Sequence, residues 1–312
     1  MTPSVGYDPQ FISPHLAAEF PEFSDELWED LAYLMEEPDQ YLLHYPHYSV
    51  AMHAIRRMPI FTAANIDGKT FKTISRTDIF DGGSDKWLKD KRIALHHQWG
   101  QELYGALKSD FDKGHMTKRE DVQWGKHEQE AKEAARSTFY YTNATPQHAK
   151  VNQAIWRDIE DYVLKDETLT NALRICVLTG PVLRKDDPYF VTEVKGDKIR
   201  LPVYFWKLIY YTTHDQKLRR VAFMVGQEKI LERLGITEPS RREITRGKSY
   251  FQNFEKADTY QVNVNLVEEL TGLTFAPAKD VYTDERPVKL TLEEVTVRGK
   301  TVPGKKILGL KL

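Results

Sequence analysis

The stretch FDKGHMTKRED, residues 111–121, sets His115 straight after a glycine, with Asp112 and Lys113 beside it, and then stays polar. Taken alone, Asp-Lys-Gly is turn chemistry, and the window reads as a surface turn. His115 is nevertheless the one side chain in this part of the chain whose ordinary pKa suits taking up a proton near neutral pH. The residues beyond the window decide between a turn and a site.

C-terminal to it, after a charged stretch at 126–136, STFYYTN is dense in β-formers and aromatics, which predicts a strand over 138–142. ATPQ breaks that strand, and HAKVNQAIWRDIEDYVL then carries apolar residues at Val151, Ile155, Ile159 and Val163, the stripe of an amphipathic helix over 149–163. Asn152, Trp156 and Glu160 form a second stripe beside it, since steps of four drift little at 3.6 residues per turn. About 1.5 Å of rise per residue separates the Cα atoms of Asn152 and Glu160 by roughly 12 Å, so both cannot easily touch one ion. An asparagine oxygen bound directly, with a carboxylate acting through water, suits a hard, hydrated cation such as Mg²⁺ better than Zn²⁺. With a single cysteine, Cys176, and no His-x-x-x-His pair, a zinc site has little support.

Elsewhere the pattern is mixed. Residues 14–44 read as helical, with Ser24 as a cap and Leu27, Leu31 and Leu34 at helical spacing. YSVAMHA and PIFTAANIDG read as strands, and Asp67-Gly68 as a hairpin turn into a further strand, KTFKTISR. Residues 78–95 read as a polar loop and 98–107 as a helical piece. RICVLTGPV, YFVTEVKG, DKIRLPVYFWKLIYYTT and RRVAFMVGQ read as strands, QVNVNLVEELTGLTF as a strand and a helix stopped by Gly272, and the tail 287–312 as weak strand. Strands and helices alternate without βαβ regularity, so the fold class is α+β with a mostly antiparallel sheet and an N-terminal helical extension.

The composition is that of a packed globular protein, with 41% hydrophobic and 12% aromatic residues. One cysteine fits a reducing compartment. The first thirty residues hold no Lys or Arg and no long apolar run, and no stretch is apolar enough to span a bilayer, so the expectation is a cytoplasmic protein without a membrane role. The net charge of −2 hides an asymmetry. Residues 1–55 contain ten acids and no Lys or Arg, which leaves 36 acidic against 44 basic residues in the rest, a balance of +8. A basic body attracts polyanions, of which the phosphate backbone is the commonest.

DKGH at 112–115, RED at 119–121, WG at 124–125, TFYYTNATPQ at 138–147 and NQAIWRDIEDY at 152–162 resemble, in order, the DNA/RNA non-specific endonuclease family, the endonuclease G-like ββα-metal nucleases. The family pattern is D-R-G-H, then T-N-x-x-P-Q, then N-Q-x-x-W-x-x-L-E, and the resemblance extends over roughly residues 44–276. It implies a ββα-metal nuclease domain at 44–280, between an acidic extension at 1–43 and a C-terminal extension at 281–312. It implies a Mg²⁺-dependent endonuclease, with Mn²⁺ as an alternative ion, that cuts DNA and RNA. His115 matches the general base, Asn152 the direct metal ligand and Glu160 the acid that holds the metal's waters. Asn143 and Gln147 match polar residues that orient the hairpin and His115, and Asp112 opens the motif.

Two positions depart from the pattern. The arginine of D-R-G-H is Lys113 here, which keeps the charge but loses the bidentate fork. Near WLKD at 87–90, Asp85 stands where some members carry an arginine, and Arg92 is the substitute candidate. A homodimer and a regulatory protein partner are further expectations. So is a brake formed by the acidic extension on the basic body, suited to a self-killing or defence effector. The rival reading is a decayed nuclease-like module that only binds nucleic acid; an enzyme nicking at specific sequences ranks lower, since no added recognition module is evident.

Overall fold

The apolar run VYFWKLIYY builds the middle of the molecule, as strand Tyr204–Thr212. Its residues from Tyr204 to Tyr210 are all buried, as expected of a central strand covered on both faces. Alternate side chains divide between two cores: Trp206, Leu208 and Tyr210 enter one cluster, Phe205 and Ile209 the other. The computed structural model describes residues 6–80, 83–152, 172–238, 258–297 and 300–311. Within them a nine-stranded sheet runs, edge to edge, Val288–Lys289, Thr259–Val262, Leu218–Gly226, Tyr204–Thr212, Arg174–Pro181, Met58–Asp67, Tyr48–His53 and Leu42–Tyr45. These neighbours are antiparallel. The ninth strand, Lys279–Asp280, lies parallel to Leu218–Gly226. The α+β reading with a mostly antiparallel sheet holds.

Several local expectations do not hold, each because tertiary partners claim the backbone. In the first 44 residues the described helix is only Asp25–Glu29. Just beyond it Ala32 N–H donates to the Met52 carbonyl and Ala54 N–H to the Asp30 carbonyl, so Leu31 and Leu34 serve isolated bridges rather than helical turns. The acidic extension is built into the domain: Glu22–Phe23 pairs with Leu273–Thr274, and Tyr7, Ala18, Phe23 and Leu31 are buried in the main core. Removing residues 1–40 therefore tests folding before it tests a brake.

Asp67 does make a turn, accepting from the N–H groups of Lys69 and Thr70, but no hairpin follows. The strand Met58–Asp67 pairs onward with Arg174–Pro181, while Lys72 N–H goes to the Gln123 carbonyl. YFVTEVKG supplies only isolated bridges, Tyr189 to Arg200, Phe190 to Thr237 and Val194 to Asp197.

The unit around His115 is rearranged most. DKGH is strand Asp112–His115 rather than a turn, and its partner is ATPQ, strand Ala144–Gln147, the segment read as a breaker. His115 faces Ala144 and Asp112 faces Gln147. Pro146 fits because a two-stranded ladder leaves half of its N–H groups without a cross-strand role. Residues 138–142 are not a strand, because the consecutive aromatics anchor in different places. Phe139 packs on Phe80, Trp87 and His115, Tyr140 on Tyr45, and Tyr141 on Trp87 and Tyr104. The charged stretch is helix Glu128–Ser137, which buries Ala131, Ala134 and Ala135 at helical spacing. Of the helix expected over 149–163, Ala149–Asn152 is described, and Trp156 and Glu160 lie outside the described residues. Met116 and Val151 join the cluster of Phe205, Ile209 and Phe223, which seats the hairpin and the start of this helix on the large sheet.

Candidate active site

Two polar clamps hold the hairpin in register. Asn143 is fully buried; its Oδ1 accepts from Thr117 N–H at 2.8 Å, and its Nδ2 donates to the carbonyls of Thr117 at 2.9 Å and Thr138 at 3.0 Å. The backbone just past His115 is thereby fixed from both sides. On the sheet side, buried Gln227 accepts from His148 N–H at 2.9 Å and donates to the carbonyls of Pro146 at 3.1 Å and Pro202 at 2.8 Å. Gln227 is a positioning residue that the sequence reading missed, since a lone glutamine after a strand carries no signal.

Gly114 is required by close approach. A Cβ there would lie 2.1 Å from Oε1 and 2.6 Å from Cγ of Gln147, itself buried. Gly114→Ala is therefore expected to lower stability by about 1–3 kcal/mol and to displace His115. Melting temperature should drop, and should recover partly in Gly114→Ala/Gln147→Ala. A single variant that melts like the wild type would show that the close approach is not needed.

His115 packs its ring between Trp87, with centroids 4.8 Å apart, and Phe139, at 4.9 Å. Its Nε2 is buried and has no hydrogen-bond partner among the described residues. Burial is the main cause that pushes its pKa down to about 4; the charges of Arg76 and Arg119 push the same way, while Glu120 and Asp85 oppose it. The imidazole is neutral at physiological pH, the state that can accept a proton.

Lys113 shares the His115 face of the strand, two residues away. Its Nζ lies 5.9 Å from the Trp87 ring centroid and 5.5 Å from that of Tyr104. Asp112 opens the strand opposite Gln147. Arg92 is engaged elsewhere. It donates to Asp90 from Nε and from Nη2, the latter at 2.7 Å, and from Nη1 to the His44 carbonyl, with its guanidinium over Tyr45. No described contact joins Arg92 to His115, and its donors secure the loop at residues 90–92.

The charges that do act on His115 come from residues the sequence reading gave no catalytic role. Arg76 forks onto Asp85, and Arg119 pairs with Glu120. Asp85 and Trp87 lie in the segment read as a loop; Arg76 opens the short helix Arg76–Ile79, which Ser75 caps. Asn152 ends the described helix start next to buried Val151; its side chain and Glu160 lie outside what is described. Among the described residues no group of three His, Cys, Asp or Glu side chains could hold a metal ion. No helix of the described residues is long and apolar enough to cross a membrane.

Comparison with known proteins bears on the family and the fold. The family model for DNA/RNA non-specific endonucleases matches residues 33–281. An uncharacterized protein, y4fB of Sinorhizobium fredii, is 34% identical over 248 residues, covering 75% of this chain and 33% of that protein. Mitochondrial endonuclease G of Homo sapiens is 28% identical over 196 residues, covering 61% of this chain and 55% of the relative; that of Bos taurus gives the same figures. The chain thus spans a third to about half the length of these curated relatives. A crystal structure of an EndoG/EndoGI complex superposes with a TM-score of 0.51 at 19% identity, over 75% of this chain and 85% of that one, which shows a shared fold. The two strands, Asp112–His115 and Ala144–Gln147, and the helix beginning at Ala149 are the described part of a ββα-metal core, and the chain belongs to the DNA/RNA non-specific endonuclease family.

Proposed function

We propose that the chain is an endonuclease that hydrolyses phosphodiester bonds in DNA and RNA without reading sequence, with His115 as its general base. The observation that carries this is the neutral His115, held on a clamped hairpin with a buried Nε2 and a lysine on the same strand face. Hydrolysis needs a water aligned with the leaving oxygen and a group to take its proton as the water oxygen bonds to phosphorus. His115 takes that proton, and the P–O bond to the leaving oxygen breaks. Lys113 offers positive charge to the same phosphate, as a point charge rather than a fork. The basic balance of residues 56–312 draws the polyanion to the body of the protein.

A divalent ion, Mg²⁺ or Mn²⁺, would supply charge at the nonbridging and leaving oxygens when bound. Asn152 would hold it directly, and Glu160 would hold its waters. One amide oxygen and one carboxylate are donors suited to a hard, mostly hydrated cation. Support comes from the helix start at Ala149–Asn152, which is seated through Val151 in the same cluster as Met116, the neighbour of His115.

The test is incubation of the purified chain with supercoiled plasmid and with folded RNA, in Mg²⁺, in Mn²⁺ and in EDTA. Nicking and then degradation of both substrates is expected with either ion, and none in EDTA. Intact substrates with both ions at neutral pH, or cleavage that persists in EDTA, would overturn the proposal.

A further inference from the structure

Two arginine–carboxylate pairs stand beside His115, and they differ in one respect. Arg119 is tied down: its side chain is 19% exposed, it pairs with Glu120 at 27%, and it reaches the Ile74 carbonyl. The Arg76 side chain is 64% exposed, although its guanidinium lies over Phe139, 5.9 Å from the ring centroid. Phe139 is the ring that also meets His115, and Asp85 sits two residues before Trp87, the other ring against His115. Ile79, at the other end of the same short helix, is buried in one cluster with Phe80 and Phe139. The partner of Arg76, Asp85, accepts from Nε at 2.7 Å and from Nη2, using the same two-donor edge that a phosphate would use.

We infer that Arg76 holds the scissile phosphate at His115 and that Asp85 parks it while no substrate is bound, giving way to a nucleic-acid phosphate. This rests on the reading of His115 as a phosphodiesterase base. A carboxylate and a phosphodiester each carry one negative charge and two oxygens that match the guanidinium fork. The Asp85 side chain is 23% exposed, but the Arg76 end of the pair is largely in solvent, and an ion pair open to water on one side contributes little to stability. Lys113 supplies only a point charge, and Arg92 has its donors engaged at Asp90 and His44. The aspartate at position 85 thus becomes a placeholder anion rather than a loss.

The experiment uses the full chain with Arg76→Ala, Arg76→Lys and Asp85→Asn. It records kcat and KM on plasmid, duplex binding in EDTA across a salt series, and thermal stability. Arg76→Ala is expected to lower kcat about 10²-fold and to flatten the slope of log Kd against log salt by about one, with Arg76→Lys between it and wild type. Asp85→Asn is expected to tighten duplex binding in EDTA by up to about fivefold and to lower KM. If Arg76→Ala and Asp85→Asn lose activity and stability in parallel, the pair is structural and the inference falls. It falls equally if Arg76→Ala cleaves within a few-fold of a cleaving wild type. A wild type that cleaves nothing overturns the phosphodiesterase reading itself.

Discussion

Replacing His115 with alanine is expected to lower cleavage of plasmid and RNA by about 10²–10⁴-fold, the usual cost of losing a general base. His115 is the one imidazole on the two strands of the clamped hairpin. Asn143 and Gln147 offer no titratable group, and Lys113 brings positive charge to the phosphate. The loss should appear in kcat, with duplex binding in EDTA held near the wild-type value. His115→Gln separates packing from chemistry, because it fills part of the space between Trp87 and Phe139 without offering a base. Added imidazole should return part of the activity of the alanine variant by entering that space. Cleavage by His115→Ala within a few-fold of wild type would remove the base from the proposal and favour a mechanism centred elsewhere.

The second large effect concerns stability in acid. Burial pushes three histidines, His47, His53 and His115, down to about 4. His47 stacks on Trp124 with centroids 3.5 Å apart, its Nε2 is 3.1 Å from the Trp124 carbonyl, and Glu130 nearby only partly offsets the burial. His53 sits 3.6 Å from Asp30 yet also beside Arg56, whose charge disfavours protonation. In the unfolded chain each takes its proton near 6.5, whereas the fold refuses it until about 4. Between those values the unfolded state binds more protons, so stability falls as pH drops. Each histidine contributes about 1.4 kcal/mol per pH unit, and the three together about 4. Total stabilities are about 5–15 kcal/mol, so the fold is expected to fail before the histidines protonate within it. Denaturant midpoints at pH 7.5, 6 and 5 measure this, and His47→Gln should reduce the slope by roughly a third. Midpoints that stay level from pH 7.5 to 5 would show that the three rings accept protons in place.

The core of the candidate site was legible in one window because its chemistry is local. A base needs one histidine, a backbone that approaches closely needs one glycine, and DKGH carries both in adjacent positions. The mostly antiparallel sheet was legible for a similar reason: runs such as VAFMVG and VYFWKLIYY are apolar at nearly every position and suit strands covered on both faces. The large errors fell where local propensity and tertiary demand disagree. TFYY has strong β propensity but serves as an anchor for several aromatic contacts, whereas ATPQ has weak propensity and forms the strand opposite His115. Alanine-rich EQEAKEAARS lacks large apolar residues, so its helix shows only in the spacing of three small ones, two of which meet Phe139 and Ile79.

By itself the amino-acid order determined which chemistry is possible here: a histidine base, an amide and a carboxylate for a hard cation, a basic body for a polyanion, and one cysteine that cannot form an internal disulfide. It also determined the class of fold, through runs whose period leaves few alternatives. Tertiary structure alone decided the electrical state of the site and the identity of its charged neighbours. Burial of His115 against Trp87 and Phe139 keeps the ring neutral, and no property of residues 111–121 contains that information. It likewise committed Arg92 to Asp90 and brought Arg76 beside His115 from 39 positions upstream. The physical reason is range. Covalent order controls dihedral preferences and side-chain periodicity over a few residues, whereas desolvation and Coulomb interactions depend on distances that only the packed chain sets.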